Sequence, residues 1–422
     1  AQDICFNCDF KKGKQVNIKL SAAVLAASLS GASVVWADIV PSVEVEAQYN
    51  DNIYASEDSV ALGTKQVESW VYVVRPGVDA VFESGANTYN VGASLEQGLY
   101  ETSKNGSDDY LDSSLYGSAM FEFDASNHLE AGVEFNSAHD ERGSGSTVGA
   151  GLTNRHPDKY DELNAGVKYT LGSKDAMGRM EVSLDHMDKD YKNNTAITRF
   201  LDRDHNEIRL AGYFQVMPKT SVFVEGRHKE IEYDNLPAAG KAFSKDSDED
   251  RYFVGVEWEA TAKTTGTVRL GRQDKDFDGS SLKDYDSAAW EVELVWQPRS
   301  YSTFYLAAQR GTDESSSSAT FIDAKTYTFN WDHDWSERVS SSMFYVYTDE
   351  EYGAQPLIPL VKRDDKTDMF GGSVNYQMSE DLKLYTSYRY EDKDSSRKTA
   401  VGAKPLDYDR NVLTFGLSYA FK

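Results

Sequence analysis

From Asp38 onward the chain alternates apolar and polar residues over stretches of about ten, a period of two that only an extended strand can turn into two unlike faces. In Tyr252-Phe-Val-Gly-Val-Glu-Trp258, the set Tyr252, Val254, Val256 and Trp258 faces one way and Gly255, Glu257 and Glu259 the other. Trp290, Val292, Leu294 and Trp296 likewise oppose Glu291 and Glu293, and Leu413, Phe415, Leu417, Tyr419 and Phe421 oppose Thr414, Gly416, Ser418 and Ala420. One face is greasy and the other small or charged. A soluble sandwich would share this alternation, but it has no reason to gather aromatics at both ends of each apolar run. Trp290 and Trp296, or Tyr327 and Trp331, do so, as rings do at two membrane interfaces.

The connections give a second constraint, because short polar turns alternate with long loops. Short turns are expected at 84–87, 124–127, 172–178, 217–220, 260–263, 297–300, 334–337 and 378–381, repeating at roughly the 42 residues of one hairpin. Longer loops rich in Asp, Ser, Gly and Lys lie near 56–65, 103–108, 142–158, 193–203, 234–249, 275–285, 311–320, 350–365 and 393–407. These connections imply about eighteen strands, an even number with both ends on the short-turn side. An unpaired backbone amide in hydrocarbon costs several kcal/mol, so such a sheet must close on itself. The expectation is a closed antiparallel transmembrane β-barrel with short periplasmic turns and longer extracellular loops. Strand one (39–54) should pair with the last strand (410–421), which ends in the aromatic Phe421 before Lys422.

The only long apolar run, Leu20 to Ala37, follows Lys11, Lys12, Lys14 and Lys19 and ends in Val35-Trp36-Ala37, small residues in the spacing of a signal-peptidase site. Residues 1–37 are therefore expected to be an upstream segment plus a cleaved signal peptide, and 38–422 a single barrel in the outer membrane of a Gram-negative bacterium. Cys5 and Cys8 form a CxxC within the part expected to be removed, leaving no cysteine for a periplasmic passage to oxidise. The formal net charge of −25 argues against nucleic acid as a partner. Acidic outward loops suit a surface where divalent cations bridge lipopolysaccharide phosphates, and equally suit plain solubility of loops. Outer-membrane lipid and lipopolysaccharide are the expected partners.

Barrels of this size usually enclose water. By strand parity the enclosed face carries Arg75, Lys168, Arg209, Arg227, Arg269, Lys383 and Arg389 with Glu122, Glu130, Glu134, Glu225, Glu257, Glu259, Glu291 and Glu293. Opposite charges on neighbouring strands would brace the wall or set a transverse field across a pore. The same parity turns Tyr116, Tyr213, Tyr305, Tyr345 and Tyr385 inward, an arrangement that would suit sugars.

Asp274-Lys-Asp276-Phe-Asp278-Gly279 has the opening of a calcium-binding loop, but Tyr285 stands where its bidentate Glu belongs. It is a weak metal candidate, and no cofactor motif occurs. The seven histidines are scattered, and no spacing assembles a nucleophile, base and orienter, so catalysis is not expected. His186 and His228 alone lie deep in strands.

Several segments resemble the β-barrel porin type 2 family: Asp51-Asn-Ile-Tyr54 in the first strand, Arg75-Pro76-Gly77 in the second, the run DDYLDSSLYGSAMFEF, and His139-Asp-Glu-Arg142-Gly143 at the end of the fifth. The resemblance implies an outer-membrane barrel taking part in exopolysaccharide or capsular polysaccharide export, with polysaccharide and periplasmic export components as partners. A general diffusion porin for small solutes, and a structural or adhesive surface barrel, are the other readings.

Overall fold

The computed structural model describes residues 36–421 apart from 60–63, 103–107, 148–155, 238–239, 262, 318, 354–361 and 399–402. The export segment expected at 1–37, with Cys5 and Cys8, lies outside the described residues up to residue 35. Eighteen strands follow one another as hairpins: β1 (Trp36–Asn50), β2 (Ser69–Ser84), β3 (Asn87–Tyr100), β4 (Tyr110–Asp124), β5 (Asn127–His139), β6 (Lys159–Leu171), β7 (Gly178–Tyr191), β8 (Arg203–Met217) and β9 (Thr220–Tyr233) form the first half. The second half holds β10 (Ser247–Thr261), β11 (Thr264–Phe277), β12 (Tyr285–Arg299), β13 (Ser302–Asp313), β14 (Ile322–Asp334), β15 (Val339–Tyr352), β16 (Asp364–Gln377), β17 (Leu382–Ser395) and β18 (Tyr408–Ala420).

Each strand pairs antiparallel with its sequence neighbours, and β1 pairs with both β2 and β18, so the sheet has no edge. The closing seam runs from Ser42↔Ala420 to Asn50↔Val412. Closure is what the hydrocarbon demands, because every backbone amide at membrane depth then has a partner. No helix among the described residues is long and apolar enough to cross a membrane, so strands make the crossing.

Strand parity decides which side meets lipid. Exposed large apolar residues gather on one face: Leu111 and Leu115 on β4, Ile208 and Leu210 on β8, Tyr252 and Val254 on β10, Phe370 and Val374 on β16. The residues between them face the enclosed side, where the strongly buried polar groups lie.

The turns fall where the sequence places them, with shifts of up to two residues. The turn expected at 297–300 closes between Arg299 and Ser302, and that at 334–337 between Asp334 and Val339. Strand one is shorter than its pattern suggests. It stops at Asn50 rather than running to Tyr54, because Asn52 turns the chain inward: its Nδ2 donates to the Ser56 and Asp409 carbonyls, and its Oδ1 accepts from the Ser56 amide.

Candidate functional site

Three sectors of the enclosed wall differ in charge, beside β17–β18, which carry Lys383, Arg389, Lys393 and Arg410 against Glu391. On β7–β12 the wall is an interlocked row of arginine and glutamate. Arg179 reaches Glu257 at 2.8 Å and Glu181 at 3.1 Å, with its guanidinium 3.8 Å from the centre of the Tyr213 ring. Arg209 joins Glu181 (3.1 Å) to Glu225 (2.8 Å), and Arg227 joins Glu225 (2.7 Å) to Glu291 (2.8 Å). Arg269 reaches the same two, Glu225 at 3.4 Å and Glu291 at 3.3 Å. Glu225 is the hub, and its side chain has no exposed surface. The four arginines balance Glu181, Glu225, Glu257 and Glu291, so the row braces the wall and carries little net field of its own.

On β1–β6 acids dominate. Glu44, Glu46, Asp79, Glu96, Glu130 and Glu134 face inward against Arg75 and Lys168. Arg75 spans Glu44 (2.6 Å) and Glu96 (2.7 Å), and Lys168 meets Glu130 at 2.8 Å. The Tyr385 hydroxyl, from β17, donates to both Glu44 and Glu46. The third sector, β13–β16, presents uncharged groups at mid-wall, namely Tyr305, Thr328, Asn330, Ser342, Ser373 and Asn375, with the Ser342 and Ser373 hydroxyls 2.9 Å apart; Asp332, Glu350 and Asp365 share this face nearer the strand ends.

Two segments turn into the barrel's long-loop mouth. Asp51–Ser56 forms a hook pinned to β18 through Asp51 and Asn411, and Asn52, Ile53, Tyr54 and Ala55 are nearly fully buried. The segment after β5 packs onto it. Arg142 binds Asp108 at 2.6 Å with its guanidinium 5.4 Å from the centre of the Tyr54 ring, and Gly143, at φ +88°, sits against Ala55 where no side chain would fit. Glu141 then reaches Arg410 on β18 at 3.1 Å and lies 3.9 Å from Arg389 on β17. Two of the segments that carry the family resemblance, Asp51–Tyr54 and His139–Gly143, therefore meet in space. Burial together with the Asp108 carboxylate pushes the Tyr54 hydroxyl up to about 12, and burial raises Asp140, which accepts from Tyr191.

The second infolded segment, Thr312–Ser315, lies over β9–β11. Lys275, fully buried, binds Glu314 at 2.6 Å and lies 3.6 Å from Glu249, while the Tyr233 hydroxyl donates to Glu314 at 2.5 Å. Burial alone would raise the Glu314 carboxyl, but Lys275 and the Tyr233 hydroxyl hold it down at about 2. Burial lowers the neighbouring Lys245 ammonium to about 8.

The charged residues expected on the enclosed face all lie there by register. Lys383 sits 5.4 Å from the Tyr385 ring centre, Glu122 lies opposite His128, Glu259 pairs with Lys174 of a short turn, and Glu293 lies opposite Thr267 and Ala307. Arg179 and Glu181, absent from the expected set, obey the same parity against Met180, Val182 and Leu184.

Three expectations change. Tyr345 faces outward with Met343, because Phe344 and Val346 give that strand apolar residues on both faces and leave its parity ambiguous; Phe344 lies against Gly371 on the enclosed side. The tyrosines do not form a free track for sugars, since Tyr116, Tyr213 and Tyr385 each donate to a carboxylate. The calcium-loop candidate is not a loop: Asp274 and Asp276 belong to β11, whose extended backbone strings alternate carboxylates about 6.6 Å apart instead of wrapping an ion. Asp278 follows on the same line, and no metal-holding cluster occurs among the described residues. His186 and His228 face outward, against Asn206 and Asp250.

A closed eighteen-strand antiparallel barrel with an apolar exterior and a polar interior defines an outer-membrane β-barrel of the porin type. Residues 38–421 match the family described as Putative beta-barrel porin 2, and the chain belongs to that family. It is an outer-membrane protein of a Gram-negative bacterium. Among solved structures it is similar to Pseudomonas aeruginosa OccK3 (OpdO), at 15% identity over 91% of this chain and 96% of that one, with a TM-score of 0.45. It is also similar to opdK of the same organism (9% identity, 91% and 99% covered, TM-score 0.47) and to Acinetobacter baumannii OccAB3 (12%, 91% and 99%, 0.44). No curated protein matches the sequence.

Proposed function

We propose that the barrel is a passive channel for small polar solutes, favouring cations and uncharged solutes over anions. The carrying observation is the charge balance of the enclosed wall: β7–β12 is internally neutralised, and β1–β6 holds carboxylates in excess of Arg75 and Lys168. Asp332, Glu350 and Asp365 add to that excess, and Lys383, Arg389, Lys393 and Arg410 on β17–β18 offset only part of it. The enclosed wall is therefore acidic in sum, and a wall of net negative sign enriches cations. The two infolded segments occupy space at the long-loop mouth, which suits small solutes better than a polymer.

Purified protein in planar bilayers under a salt gradient tests this. A reversal potential of the sign for cation preference supports the reading. A barrel that never conducts, or one that prefers anions, overturns it. The polysaccharide-export role implied by the family resemblance has a separate test: loss of surface polysaccharide in a deletion strain would favour it, while intact polysaccharide with slowed uptake of small cations favours diffusion.

A further inference from the structure

The outward wall of β8–β11 is notched at membrane depth. Gly212 and Gly226 both face lipid: a Cβ added at Gly212 would meet nothing within 4 Å, and one at Gly226 only the Tyr252 ring at 3.9 Å. Around the space beside Gly212, Phe214, Val222, Val224, Val254 and Leu270 enclose an apolar groove of about 560 Å³. Such a groove, on a surface that meets hydrocarbon, takes an acyl chain.

The same strands say which lipid carries that chain. Four residues beyond Val254, about 13 Å along the strand, the outward face changes to rows of carboxylates set directly opposite one another. Glu230 faces Asp248, which faces Asp276; Asp250 faces Asp274, which faces Asp286; Asp188 faces Asp204, which faces Glu232. Like charges placed opposite across strands destabilise a sheet, and among the described residues His228 and Arg272 interrupt these rows. In the loop just beyond, burial and then the charges of Asp190 and Asp188 push the Asp234 carboxyl above its usual range. A lone phosphate is repelled from this surface, whereas phosphates that arrive with divalent cations are held by it.

We propose that the groove is a docking site for the phosphorylated glycolipid of the outer leaflet, lipopolysaccharide. One acyl chain fills the notch at Gly212, and divalent cations bridge the glycolipid phosphates to the carboxylate rows above. This is independent of whether the barrel conducts.

The test is native mass spectrometry of the protein extracted in mild detergent with magnesium, with the heat-dependent gel shift of a folded barrel as control. Wild type is expected to retain the glycolipid and to lose it to a chelator. Gly212→Trp, which puts an indole into the groove from a position where a Cβ meets nothing within 4 Å, is expected to abolish retention. Glu230→Gln/Asp248→Asn/Asp276→Asn, which leaves the groove intact, is expected to do the same. Retention of ordinary phospholipid alone, a second copy of the chain on this face, or undiminished glycolipid on either folded variant overturns the proposal.

Discussion

Glu225 shows how much one residue can hold on a barrel wall. Its carboxylate serves Arg209, Arg227 and Arg269, so Glu225→Gln removes one charge and leaves three guanidinium groups crowded in a buried row. Breaking a buried ion network by one partner costs about 3 kcal/mol or more. The variant should unfold at lower urea than wild type, read by tryptophan fluorescence in detergent; an unchanged midpoint would mean that water already screens the row. Glu314 gives a pH signature. Its folded carboxyl titrates at about 2 against the usual 4.5, so its stabilisation is full above 4.5 and is lost as pH falls from there toward 2. Lys275, Tyr233, His205 and Lys245 surround it, and Lys275 supplies most of the downward pull. Amide exchange at 313–317 should accelerate across that window in wild type, and the dependence should flatten in Glu314→Gln.

Strands and turns were the legible elements, and the reason is local. A hairpin is written in adjacent residues, as at Ser84–Asn87 and Asp124–Asn127, and a face is written in alternate ones. Where both faces are apolar, as at Phe344 and Tyr345, the local signal gives no answer. The infolded segments were illegible because their contacts are distant in sequence: Glu141 meets Arg410 across 269 positions, and Asn52 meets the Asp409 carbonyl across 357. Their alternation also imitates a strand, which is why Asp51–Tyr54 reads as a continuation of β1. The hook makes its own prediction. Arg142→Ala removes the guanidinium that ties Asp108 and Tyr54 to the segment after β5, so single-channel conductance should rise with the number of strands and the gel shift unchanged. Equal conductance would show that the hook does not narrow the path.

At the scale of the whole molecule, everything follows from a sheet with no edge, one face in lipid and the other around enclosed water. The strong acidity of the chain is then sorted by face: paired with arginine on β7–β12 inside, in excess on β1–β6 inside, and stacked in rows outside above the apolar band. The division of faces is most directly measured on β16 from Phe370 to Gln377, where the inward residues Gly371, Ser373, Asn375 and Gln377 are uncharged. Single nitroxide labels at 370–377, in lipid bilayers, report collision with oxygen, which concentrates in hydrocarbon, and with a water-soluble nickel chelate. Positions 370, 372, 374 and 376 should favour oxygen and 371, 373, 375 and 377 the chelate, in strict alternation. A profile without that period of two, or one with oxygen favoured at every position, would contradict a lipid-spanning wall around water.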